Sequence, residues 1–143
     1  MVVIEEQGLR DGLQNEARLL PTTKKLELID ALVDAGVQRI QVTSFVNPRL
    51  IPQMADADQL CAALKEQPGV RYSALVLNTR GIERAAEAGL KHVAASISAS
   101  DTHSRKNANA SLNEARRQFA DMTKIGKAHG LTVSGGLQCV FGC

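Results

Sequence analysis

The segment at residues 8–16, GLRDGLQNE, carries the side chains best suited to chemistry. The carboxylate of Asp11 is a suitable ligand for a hard divalent cation such as Mg²⁺ or Mn²⁺. The adjacent guanidinium of Arg10 could stabilise an enolate oxygen as negative charge develops on it. Gly8 and Gly12 would let the backbone approach a small ligand closely. The same residues could equally form a solvated polar loop with a surface ion pair.

The elements that would position this segment are marked by helical periodicity and by glycines. Apolar residues at helical spacing predict a helix over Lys24–Ala35, with Thr22 or Thr23 as its cap, and another helix that begins with the capping box Ser111–Glu114. Weaker patterns predict helices at Ala55–Lys65 and Thr79–Ala88. Glycines followed by short apolar runs predict helix ends that lead into buried strands. These glycines are Gly36, Gly69, Gly89 and Gly130.

Short apolar runs between the helices predict five strands. They are Val2–Glu6, Arg39–Thr43, Val70–Leu75, His92–Ile97 and Leu131–Leu137. Strands that alternate with helices across short loops are parallel, so the fold class is α/β, as a (β/α)₈ TIM barrel or a doubly wound sheet. No G-x-G-x-x-G motif follows the first strand, which favours the barrel.

Length limits how much of a barrel the chain can form. A (β/α)₈ barrel needs about 250 residues, whereas the sequence has 143. We therefore expect a partial TIM barrel of about four βα units plus a fifth strand. Residues 1–143 are expected to be one N-terminal portion of a larger catalytic domain.

Composition argues against several classes of partner. Seventeen basic and fifteen acidic residues give a net charge of +2 without a run of like charges, so nucleic acid is not an expected partner. Three cysteines are too few for a disulfide framework, and no signal peptide or membrane-length apolar segment is present, so a cytoplasmic location is expected. An open edge of a partial sheet favours pairing with another copy, so a homo-oligomer is expected.

Three separated blocks resemble the 3-hydroxy-3-methylglutaryl-CoA lyases, a branch of a superfamily of metal-dependent lyases and Claisen-condensing synthases with (β/α)₈ barrels. The blocks are GLRDGLQNE at 8–16, TSFVNP at 43–48 and PQMAD at 52–56, with GGLQCVFGC at 135–143 near the end. The resemblance covers almost the whole chain. It implies cleavage of an acyl-CoA substrate to acetoacetate and acetyl-CoA with a divalent cation, Mg²⁺ or Mn²⁺.

The resemblance also implies roles for individual residues. Asp11 matches the aspartate that ligates the cation, and Arg10 matches the catalytic arginine that stabilises the enolate. Substrate-binding positions follow from the same comparison. They are Gln14 and Ser44 beside the acyl group, and the pair Lys106 and Asn107 near the carboxylate or CoA.

Two departures from the lyase pattern leave the substrate open. Gln41 stands where the lyases usually carry glutamate, and the segment Ser98–Asn107 is closer to the condensing synthases. A synthase that adds acetyl-CoA to a 2-oxo acid is therefore the enzymatic alternative.

A third departure is an absence. The His-x-His pair that completes the family's metal site does not occur in residues 1–143, so we expect this polypeptide to be inactive alone. A non-catalytic half-barrel that self-associates is the alternative outside enzymes.

Overall fold

The chain folds as a parallel sheet covered by helices. A computed structural model describes residues 2–142. The strands, in chain order, are β1 (Arg39–Phe45), β2 (Arg71–Val76), β3 (His92–Ser98) and β4 (Thr132–Gln138). The helices are α1 (Thr22–Asp34), α2 (Ala57–Ala62), α3 (Thr79–Glu87), α4 (Asp101–Ala108) and α5 (Leu112–Ala128). All strand pairs are parallel and the sheet order is β1-β2-β3-β4, which confirms the expected α/β class.

The core lies between the sheet and the helices. Its fully buried members include Ile40, Val42, Val76 and Val93 from the strands, and Ile29, Leu60, Ile82 and Met122 from the helices. Each such side chain contributes about 1.5–3 kcal/mol by leaving water. None of the helices in residues 2–142 is long and apolar enough to cross a membrane.

The glycine pattern predicted the helix-to-strand junctions well. Gly36, Gly89 and Gly130 follow α1, α3 and α5 and have φ angles of +86°, +84° and +72°. This left-handed conformation lets the chain leave a helix without steric cost. Gly69 has a similar φ of +82° but follows a turn, because α2 ends earlier than predicted, at Ala62.

Two predicted features near the N-terminus are wrong. The segment Val2–Glu6 is not a strand in the described part of the chain, since it pairs with β1 only through a single parallel bridge between Glu6 and Ile40. Neither Thr22 nor Thr23 caps α1, whose preceding residue is Pro21. The Thr22 hydroxyl instead donates a hydrogen bond of 2.7 Å to Asp56, which joins α1 to the segment before α2.

Helix α4 lies in a segment where the sequence pattern predicted no helix. It has no apolar stripe, so periodicity gives no sign of it. Its polar supports are the Ser100 cap, whose hydroxyl accepts from the amide of His103, and an ion pair of 2.7 Å between Asp101 and Arg105. These signals were present in the sequence as a cap residue and a pair of opposite charges four residues apart.

Strand β1 contains one residue more than its partner. Gln41 lies opposite Ser73 and Thr43 lies opposite Ala74, so Val42 is the extra residue of a β-bulge. After the bulge Ser44 lies opposite Leu75. Gln41 and Ser44 are therefore both on the sheet face that carries Ser73, although an unbroken strand would point them to opposite faces.

Helix α5 packs closely against the sheet because Gly126 has no side chain. A Cβ atom added to Gly126 would lie 2.5 Å from Cγ2 of Val133 and 3.8 Å from Cδ1 of Ile82. We expect Gly126→Ala to lower the free energy of unfolding by about 1–3 kcal/mol, because overpacking outweighs the better helix propensity of alanine. Urea denaturation would measure this change in the free energy of unfolding. Ala120→Gly, at an exposed position of α5, isolates the propensity difference, and a Gly126→Ala variant more stable than the native chain would contradict this packing.

A second prediction concerns thiol reactivity. Burial, with smaller contributions from Asp58 and Asp56, raises the pKa of Cys61 to about 12, so only about one thiol in 10⁴ is ionised at pH 8. We expect iodoacetamide to leave Cys61 unmodified in the folded chain and to modify it in urea, whereas the partly exposed Cys139 reacts in both states. Peptide mass spectrometry distinguishes the two sites. Labelling of Cys61 at equal rates with and without urea would contradict this prediction.

Candidate functional site

The segment with the chemistry forms a tight turn fastened to the sheet. The backbone of Glu6 donates one hydrogen bond to β1 and accepts another, each of 2.8 Å. The chain then makes a π-helical turn, Gly8–Gly12, in which the amides of Arg10 and Asp11 both donate to the carbonyl of Gln7. A short 3₁₀ turn, Leu13–Asn15, follows. We call residues 8–15 the Arg10 turn.

The guanidinium of Arg10 is held at all three of its nitrogen atoms. Nε donates to Oε1 of Gln41 in β1 at 2.6 Å, Nη1 donates to Oδ1 of Asp11 at 2.7 Å, and Nη2 donates to Oε1 of Gln7 at 2.8 Å. The side chain is only 15% exposed. Because a guanidinium has five N–H groups, two of them have no acceptor within residues 2–142 and could bind an oxyanion.

A wider polar network supports this arrangement. Gln7 donates a hydrogen bond of 3.3 Å to Glu5, and Glu5 accepts one of 3.1 Å from the hydroxyl of Ser73 in β2. The network thus links the Arg10 turn to two adjacent strands. Sequence reasoning missed Glu5, Gln7 and Ser73. The alternation of Glu5 and Gln7 was a usable signal, because residues two apart in an extended segment share a face.

Asp11 combines a fixed oxygen with an exposed one. Its Oδ1 atom accepts from Arg10 and also from Nε2 of Gln14, at 3.1 Å. The side chain is 62% exposed. The structure therefore brings together Arg10, Asp11 and Gln14, whose roles stay predictions.

These residues alone do not form a complete metal site. Within residues 2–142, no group of three or more His, Cys, Asp or Glu side chains is placed to hold a cation. Asp11 offers one carboxylate, one oxygen of which already accepts two hydrogen bonds. A divalent cation of the Mg²⁺ type needs several converging oxygen donors, so the described residues could supply only part of its coordination.

Ser44 lies near the carboxyl end of β1 and is fully buried. Its hydroxyl oxygen has no hydrogen-bond partner within the described part of the chain. Such a group costs about 1–3 kcal/mol when it stays unsatisfied. The neighbouring Thr43 hydroxyl, by contrast, contacts Sδ of Met54 at 3.4 Å.

The predicted pair Lys106 and Asn107 lies in α4, the helix that follows β3. Lys106 is exposed, and no hydrogen bond or ion pair joins it to the Arg10 turn in residues 2–142. The side chain of Asn107 lies outside the described part of the structure. The role of this pair therefore stays a prediction.

Gln41, at the position where the family resemblance led us to expect glutamate, contacts Arg10 through a neutral amide. Oε1 of Gln41 accepts from Arg10 as a carboxylate oxygen would, and the side chain is buried. The neutral amide leaves Asp11 as the carboxylate that is paired with Arg10 among the described residues.

A parallel sheet whose strand order follows the chain order is typical of an α/β barrel and not of a doubly wound sheet, in which the order reverses. The model of the HMGL-like family matches residues 1–143, and the chain therefore belongs to that family. Curated relatives include the mitochondrial hydroxymethylglutaryl-CoA lyase of Bos taurus, 42% identical over 142 residues. The 3-hydroxy-3-isohexenylglutaryl-CoA/hydroxymethylglutaryl-CoA lyase of Pseudomonas aeruginosa is 39% identical over 142 residues.

Solved structures agree with the sequence comparison. The HMG-CoA lyase of Bacillus subtilis matches with a TM-score of 0.94 at 40% identity over 99% of this chain. An HMG-CoA lyase of Acinetobacter baumannii, solved with coenzyme A and 3-methylmalate, matches with a TM-score of 0.92 at 31% identity over the full chain. The chain spans about half the length of these proteins: 44% and 47% of the two curated relatives, and 48% and 47% of the two solved chains.

The contact between Arg10 and Gln41 can be tested by stability. We expect Gln41→Leu to lower the free energy of unfolding by about 1–3 kcal/mol, because it leaves the Nε–H of Arg10 without its acceptor. Gln41→Glu retains an acceptor oxygen and should retain the native stability. Urea unfolding of both variants, with the NMR signal of the Arg10 Nε–H group as a local probe, gives the measurement. Equal stability of the leucine and native forms would show that the contact contributes nothing.

Proposed function

We propose that this chain is the N-terminal part of a lyase that cleaves 3-hydroxy-3-methylglutaryl-CoA to acetoacetate and acetyl-CoA. The observation that carries the proposal is the guanidinium of Arg10, fixed by three acceptors and left with two free N–H groups beside Asp11. Support also comes from relatives at about 40% identity that are lyases of this type. The coenzyme A in the Acinetobacter baumannii structure supports an acyl-CoA substrate.

The reaction needs stabilisation of an enolate. When the bond between C2 and C3 of the substrate breaks, its electron pair passes to the thioester and forms the enolate of acetyl-CoA. The hydroxyl on C3 gives its proton to a base and becomes the ketone of acetoacetate, and C2 then takes up a proton. Arg10 would stabilise the enolate oxygen through its two free N–H groups, and its fixed orientation lowers the cost of reorganisation during the reaction.

A divalent cation, Mg²⁺ or Mn²⁺, is part of the proposal. Asp11 would supply one oxygen ligand, and the remaining ligands would come from residues outside the described segment. When bound, such a cation polarises the hydroxyl and carbonyl oxygens of the substrate. Residues 1–143 by themselves should then be inactive, because one carboxylate cannot hold the cation against water.

Substrate contacts are proposed for four further residues. The buried hydroxyl of Ser44 lacks a partner within residues 2–142, which supports a hydrogen bond to the acyl group. Gln14 is held beside Asp11 and would line the same pocket. Lys106 carries an exposed ammonium group in α4, and together with Asn107 it would bind the substrate carboxylate or CoA.

Activity of the complete encoded protein tests the proposal. We expect Mg²⁺-dependent formation of acetoacetate from 3-hydroxy-3-methylglutaryl-CoA, and a decrease in kcat of about 10²–10³-fold for Arg10→Met, the effect typical of losing an oxyanion donor. Arg18→Met removes an exposed cation nearby in the sequence and should leave kcat unchanged. A coupled assay for acetoacetate gives the rates.

One result would count against this function, and another against the proposed cation site. Condensation of acetyl-CoA with a 2-oxo acid, without cleavage of the lyase substrate, would support the synthase alternative. Full activity of residues 1–143 alone would contradict the need for further cation ligands.

A further inference from the structure

Strands β2 and β3 separate at their amino-terminal ends. Their pairing begins only at Ala74 opposite Val93, so the first three residues of β2 have no partner in β3. At the start of β3, His92 pairs with β4 on the other side. A cavity of about 440 Å³ lies at this gap, and none of its lining residues belongs to the network around Arg10. Its polar lining is formed by Glu66, Gln67, Arg71, Tyr72, Lys91 and His92.

The cavity carries more positive than negative charge. Arg71 and Lys91 line it, and Arg39 lies directly opposite Arg71 in the strand register. Like charges at opposed positions of a sheet destabilise it unless an anion is near. Glu66 is the carboxylate among the lining residues, and it already pairs with Lys91.

Buried polar atoms in this region lack partners. Within residues 2–142, the side chain of Arg71 makes one hydrogen bond, of 3.0 Å from Nη2 to the neutral hydroxyl of Ser134. Nε of Arg71 and Nδ1 of His92 are buried and have no hydrogen-bond partner within residues 2–142. A guanidinium that is partly removed from water and forms no ion pair within residues 2–142 is costly. Burial, followed by the charges of Arg71, Arg39 and Lys91, lowers the pKa of His92, so the imidazole lies in a positive potential.

We propose that this cavity binds an oxyanion of the phosphate class between Arg71, Lys91 and His92. A guanidinium offers phosphate a fork of parallel N–H donors, and an ammonium adds a strong point charge. A phosphate has enough acceptor oxygens to engage all three side chains. The volume of the cavity falls within the range of small-molecule sites, so a phosphate carried on a small organic group would fit.

Titration of the complete encoded protein with inorganic phosphate tests this site. We expect saturable binding by calorimetry at constant ionic strength, with chloride giving no such signal. Arg71→Met should weaken binding at least about tenfold, the loss typical of a hydrogen bond to a charged group. Lys91→Gln, at a side chain too exposed to endanger folding, should weaken it about threefold. Lys124→Met removes an exposed cation from α5 and should change nothing.

The imidazole of His92 gives a second readout. Its pKa, followed by NMR, should rise when phosphate binds, because the anion offsets the surrounding cations. Chloride at the same ionic strength should leave that pKa unchanged. The proposal is wrong if the complete protein shows no saturable phosphate binding, as would follow if carboxylates from elsewhere in it fill the cavity. Equal affinities of Lys91→Gln, Lys124→Met and the native protein would also overturn it.

Discussion

The hydrogen bond of 2.6 Å from Arg10 to Gln41 is the contact on which the geometry of the site depends. It joins a turn that precedes the sheet to the first strand of that sheet. A guanidinium on a free loop would lose much of its binding capacity to disorder, whereas one anchored on a strand is held ready for a ligand. The series of hydrogen bonds that joins Ser73, Glu5 and Gln7 to Arg10 extends the same support to β2.

Asp11 couples two functions in one carboxylate. Its Oδ1 atom accepts from Arg10 and from Gln14, and more than half of its side chain is exposed. A cation bound to Asp11 would compete with Arg10 for the negative charge of the same carboxylate. Because Gln41 is neutral, no second carboxylate from β1 compensates for that change. In the proposed function, cation binding and the position of the guanidinium would therefore be linked through this pair of residues.

Local patterns were sufficient to predict most of the architecture. Helical periodicity, the capping box at Ser111 and the glycines after helices depend only on neighbouring residues, and the structure follows them. Helix α4 was missed because its stability comes from polar contacts that leave no apolar stripe. The segment Val2–Glu6 has a strand-like composition but forms a single bridge.

The supporting network could not be predicted in the same way. The contact of Glu5 with Ser73 joins residues 68 positions apart, and it depends on strand order and register, which no local pattern determines. The resemblance indicated Arg10, Asp11 and Gln14 because all three lie within one short motif, at residues 8–16. Comparison of motifs does not show which other side chains hold these three residues in place.

The bulge at Val42 sets the phase of β1. Beyond it, Ser44 lies opposite Leu75 and Phe45 opposite Val76. If Val42 were instead paired as an ordinary strand residue, Phe45 would move to the face now occupied by Ser44, and a phenyl ring would replace a hydroxyl. A one-residue slip of register here is therefore equivalent to several simultaneous substitutions, so the register of this strand is constrained as strictly as the identity of any side chain on it.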